Sequence, residues 1–253
     1  ASSPQNDSAA AQDRSALLAG AVVIDYPLTL QSSLTDFVFR GDTTYVVAGP
    51  LSLGGTTTIE AGTVIKFTPG TGASLILGGP VDCQTGPYRT AILTSRNDDS
   101  VGEILPDSTG IPQASYGANP ALQLMRSGQV IHDVRIAHAQ VGVFFHDWSA
   151  GSGSLRHVQF VRCGTAIRAN GYATTYENLT LHNVLIDDAA QALAGYSLTG
   201  RAEHLTVSRC AQLTSDTQSA FYGTRSTLSL LNSILVAVSN LGPMTVNQAF
   251  CQS

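Results

Sequence analysis

Five segments of this chain repeat one pattern: Asp133-Val134-Arg135-Ile136, His157-Val158-Gln159-Phe160, Asn183-Val184-Leu185-Ile186, His204-Leu205-Thr206-Val207 and Asn232-Ser233-Ile234-Leu235. Each opens on a polar residue, and its second and fourth positions are mostly apolar, the period of a strand with one buried face. Their starts lie 24, 26, 21 and 28 residues apart. Three residues past the last apolar position stand the small residues Ala139, Cys163, Ala189 and Cys210, then the larger Val238. Four units return to an apolar residue, Val143, Ile167, Leu193 or Leu213, which opens a second short strand. A further apolar pair precedes most units, as in Leu179/Leu181 and Leu228/Leu230.

Three short strands recurring in every stretch of about 25 residues exclude both an antiparallel sandwich and a helical solenoid. Antiparallel sandwiches place turns every 8–12 residues or so but show no long repeat. A helical solenoid needs a 3.6-residue period, and no such run occurs beyond the first 25 residues. The spacing predicts an all-β, right-handed parallel β-helix of roughly six to eight coils over residues 43–240. Ahead of it, residues 1–12 are expected to be flexible and residues 13–42 to form an N-terminal cap, with a short helix or plug over Asp13 to Val23. Residues 241–253 are expected to form a C-terminal tail or cap, since open sheet ends need cover.

Composition agrees. Of 253 residues, 43% are hydrophobic, which excludes a disordered chain. Only 12% are charged, against about a quarter in ordinary domains, which excludes a coiled coil. The net charge is −5, and the basic residues are twelve Arg and Lys66 alone, with no basic stripe for phosphates. No nucleic-acid partner is expected. The apolar run Ala16 to Ile24 is far shorter than the ~20 residues that span a bilayer, so no transmembrane segment is expected. Asp7 and Asp13 precede it where a signal peptide carries basic residues.

The run Thr44-Tyr45-Val46-Val47 and then Gly55-Thr56-Thr57-Thr58-Ile59-Glu60-Ala61-Gly62-Thr63-Val64-Ile65-Lys66-Phe67 resembles the opening coils of secreted bacterial β-helix repeat proteins, within the broad pectate-lyase-like class. Cys83, Pro87-Tyr88-Arg89, Ala91-Ile92-Leu93-Thr94-Ser95, Asn97 to Glu103, Ser108-Thr109-Gly110 and Ala121-Leu122 continue the likeness, which spans about residues 36–240. It implies an exported, extracellular or cell-surface module and specifies no activity.

Cys163 and Cys210 hold equivalent positions two coils apart. That puts them about 9–10 Å apart, too far for a disulfide that needs less than ~7 Å, so both are expected to be free. Cys83 and Cys251 would meet only if the tail ran back along the outside.

By strand parity, Asp133, His157, Asn183, His204 and Asn232 are expected to face outward, with Arg135, Gln159, Leu185, Thr206 and Ile234 following two residues later. Asp133, Arg135 and His157 are the candidate catalytic residues there. A polysaccharide lyase needs carboxylate-held Ca²⁺ and an Arg or Lys base, whereas a glycoside hydrolase needs two or three gathered carboxylates. The same row could instead be a polar surface that keeps the sheet soluble. Asp187-Asp188 falls at a turn, where Arg162 and Arg209 on adjacent coils would form stacked ion pairs. Asn97, Asp98, Asp99 and Glu103 form the densest polar cluster, a candidate structural Ca²⁺ site or a set of Asx turns. Phe144, His146 and Trp148 are candidate sugar-binding residues, or a cover for the coil. The six histidines lack partners at zinc-ligand spacing.

Two functions follow. The first is a non-enzymatic structural or adhesive module contacting polysaccharide, other surface components or copies of itself. The other is a polysaccharide lyase or glycoside hydrolase.

Overall fold

Like residues stack when each coil places the same position one strand spacing above the last. On the first face, Tyr45, Ile65, Leu93, Ile136, Phe160, Ile186 and Val207 lie opposite one another from coil to coil. All are buried, and Leu235 ends the row. This register belongs to a computed structural model that describes residues 27–28, 33–146, 151–170, 177–216 and 226–249. The chain is an all-β parallel β-helix of about eight turns.

Each coil contributes three strands. In one, Gln129–His132, Val134–Ala137 and Val141–His146 follow in turn. The next coil up pairs with them through Ser152–Arg156, Gln159–Val161 and Thr165–Asn170. The second face buries Leu51, Leu75, Leu122, Val143, Ile167 and Leu193 in one row. Opposite Leu193 stands Thr214, not Leu213 as the repeat suggests. Thr214 is buried there, and its hydroxyl donates to the Leu241 carbonyl at 2.6 Å.

On the third face the interior alternates large and small, with Gly153, Leu179, Gly200 and Leu228 in register. A Cβ on Gly153 would sit 2.2 Å from the Phe145 ring, so glycine is what lets that ring cross the core.

The corners explain the polar residue that opens each repeat. Asp133, His157, Asn183, His204 and Asn232 have φ between 47° and 56°, left-handed backbone in which Asn and Asp are the best tolerated non-glycine residues. They are the corner between the third and first faces, whereas strand parity alone puts them on a strand face. His138, Arg162, Asp188, Arg209 and Ala237 form the matching corner between the first and second faces, with φ of 51° to 58°. The expected small residues Ala139, Cys163, Ala189 and Cys210 follow it, turned inward and buried. Backbone pairing continues through both corners, as in His157 N–H to His182 O at 3.0 Å and Arg162 N–H to Asp187 O at 2.9 Å. The strands Glu177–Tyr196 and Leu198–Asp216 therefore run around most of a coil without a break.

Stacking extends beyond the expected limits of 43 and 240. Leu34–Thr35 pairs with Leu53–Gly54, Val38–Phe39 with Thr58–Ile59, and Thr245–Ala249 with Thr227–Leu231. The helix or plug expected over 13–23 lies outside the described residues. Among those described, the one helical turn is a 3₁₀ turn at Pro112–Ala114, and no helix is long and apolar enough to cross a membrane.

Candidate functional site

Residues 96–121 form the longest departure from the repeat, leaving the first face after Ala91–Ser95 and rejoining the second at Leu122–Leu124. They fold back over the outer side of the first face. Glu103 N–H donates to Thr44 Oγ1 at 3.1 Å, and Gly102 lies against Val64. Beneath them Lys66 is fully buried, and its Nζ donates to the carbonyls of Asp98 at 2.8 Å and Glu103 at 2.6 Å. Burial lowers the Lys66 pKa, and the nearby Asp98, Asp99 and Glu103 charges oppose that shift.

The candidate Ca²⁺ ligands are tied into this loop. Asp98 accepts from Thr94 Oγ1 at 2.7 Å and from Ser100 Oγ at 2.5 Å. Burial pushes its carboxyl pKa up, but these bonds outweigh it and hold the group below its ordinary value. Asp99 accepts from Ser108 Oγ at 2.6 Å, and Asn97 Oδ1 accepts from Thr109 N–H at 3.1 Å. Among the described residues no three His, Cys, Asp or Glu side chains gather as a metal site. Asn97, Asp98 and Asp99 thus each accept a hydrogen bond within the loop, and the Lys66 ammonium lies against its carbonyls.

The candidate catalytic residues Asp133 and His157 stand at the same corner on consecutive coils, with Arg135 on the adjoining strand. Asp133 is buried at its corner and accepts from His132 Nδ1 at 2.9 Å. Arg135 points outward from the adjoining strand, beside Gln159 in register. His157, at the next coil's corner, is bonded through Nδ1 to Asn183 Nδ2 at 2.8 Å. Its ring meets His182 edge-on at 5.8 Å, and His182 meets His204 at 5.7 Å. Phe144 and His146 share the outer side of the second face with ring centroids 4.8 Å apart, and Arg168 lies 5.6 Å over the Phe144 ring. Trp148 lies outside the described residues, as does Cys251. Cys83, Cys163 and Cys210 are free and buried; burial raises the Cys163 thiol pKa to about 12 and that of Cys83 to about 11.

A cleft of about 730 Å³ opens where the insertion faces the second corner. Pro112, Ala114 and Tyr116 make one wall, and the stacked corner residues His138, Arg162, Asp188 and Arg209 make the other. Arg162 Nε lies 3.5 Å from Asp188 Oδ2, and Arg209 pairs with Asp187, as the spacing of these residues predicts. Ala190 and Ala211, both exposed, also line it. His138 is buried, and its Nδ1 has no hydrogen-bond partner. Burial lowers the His138 pKa, with Asp98 opposing and Arg162 and Arg135 reinforcing the shift.

Sequence reasoning found the arginine and aspartate rail but not Tyr116 or the cleft. The signal that could have found them was the length of the interval between two strands that other coils join with a few residues. The chain matches no known family model and no curated protein sequence.

Proposed function

We propose that the chain is a non-enzymatic structural or adhesive module of an exported bacterial surface protein, a rigid rod that contacts glycan without cleaving it. The observation that carries this reading is how the acidic side chains are placed. Asp98 is hydrogen-bonded within its loop and Asp133 to His132, while Asp187 and Asp188 form ion pairs with Arg209 and Arg162. Glycosidic cleavage needs two carboxylates facing one gap, or a base beside a bound cation. The paired placement of these four carboxylates supports the non-enzymatic reading. Arg135, the best base candidate in sequence, does not share a face with Asp133.

Incubating the protein with pectin, alginate and neutral glucans tests the reading. The expected result is co-sedimentation with an insoluble polysaccharide and no release of soluble sugar. Sustained product formation, abolished by Arg135→Ala or Asp133→Ala, would instead establish a lyase or hydrolase.

A further inference from the structure

We propose that the cleft at the second corner binds an uncharged, linear oligosaccharide lying along the helix axis. This rests on the non-catalytic reading and names what the module holds. The volume, about 730 Å³, lies within the ~300–1,000 Å³ of small-ligand sites. Two small side chains in the lining leave room for a sugar ring: Ala190 and Ala211 are exposed on consecutive coils, so a sugar can approach the sheet closely. Tyr116, 42% exposed on the insertion, lines the same cleft and brings an aromatic ring to it.

Charge decides between ligand classes. Arg162 and Arg209 are each matched by an aspartate, so neither waits unpaired for a carboxylate or sulfate. Yet Arg162 pairs through Nε and Arg209 through one terminal nitrogen, and a guanidinium carries five N–H donors, more than these pairs use among the described residues. Asp188 meets Arg162 through Oδ2, and a carboxylate has a second oxygen that can accept. Donors and acceptors thus alternate coil by coil, about 4.8 Å apart, and hydroxyl groups can answer both.

Calorimetric titration of the intact protein tests the site, using hexasaccharides of glucose, xylose and mannose with an oligogalacturonate as the charged comparator. Binding of at least one neutral series is expected. Tyr116→Ala and Ala190→Met should each weaken it at least about tenfold, with the melting temperature unchanged, because both side chains lie outside the core. No binding, binding of the oligogalacturonate alone, or neutral binding indifferent to Ala190→Met would overturn the site. Shortened sugars in the cell would overturn the non-catalytic reading instead, leaving the cleft to be judged on binding alone.

Discussion

At the corners the backbone turns through a conformation that costs most L-residues roughly 1–2 kcal/mol, and the side chain chosen there shows how each coil meets that cost. Asn, Asp and His hold most of these positions, whereas Ala237, with φ of 52°, has no side-chain polar group to compensate. Ala237→Gly is therefore expected to stabilise the protein by about 1 kcal/mol, and Ala237→Val to destabilise it by at least as much. Denaturant unfolding would show both. His138 carries a pH dependence. Its folded pKa lies below the ordinary 6.5, so on acidification the unfolded chain takes up the proton first. Its contribution is fully present above pH 6.5 and is lost as pH falls from there through the lowered folded value. Stability measured across that range should decline, and His138→Gln should flatten the decline. The buried residues were legible because apolar side chains recur with period two. The corners were not, because a polar residue before a strand looks the same whether it opens the strand or bends the chain.

Among the elements, the insertion at 96–121 departs furthest from the repeat, and Lys66 pins it. Removing the ammonium leaves the carbonyls of Asp98 and Glu103 without their donor while the aliphatic stem can still be matched. Lys66→Met is expected to speed amide exchange in residues 96–110 much more than in the strands. A chelator should leave the melting curve unchanged, since an ammonium and Asx turns hold the loop. A lowered melting temperature in chelator, removed by Asp99→Ala, would restore the Ca²⁺ site. The cluster Asn97 to Glu103 was visible in sequence, but its cation was not. Lys66 lies 32 residues before Asp98 and follows the strand pattern like any outward position. The stacked Arg–Asp pairs at the second corner could be read in advance, because they sit inside the repeat and inherit its register.

For the whole molecule, the repeat determined the architecture, since only coil-on-coil stacking buries a period-two pattern that recurs every 25 residues or so. Its ends were harder to place. Pairing runs past both expected limits because the terminal coils depart from the repeat that marks the middle. The coil that carries Ile234–Asn240 also changes character, exposing Ile234 and Val236 where the coil before it carries Thr206 and Ser208. The β-helix stands or falls on one straight outward row, Arg135, Gln159, Leu185, Thr206 and Ile234. Spin labels introduced as unnatural side chains, one at position 135 and the other in turn at 185, 206 and 234, measure that row directly by electron paramagnetic resonance. Backbone separations of about 10, 14 and 19 Å are expected, one increment of ~4.8 Å per coil. Distances that fail to grow in sequence order, as they would if any of these strands paired antiparallel or out of turn, would contradict the β-helix.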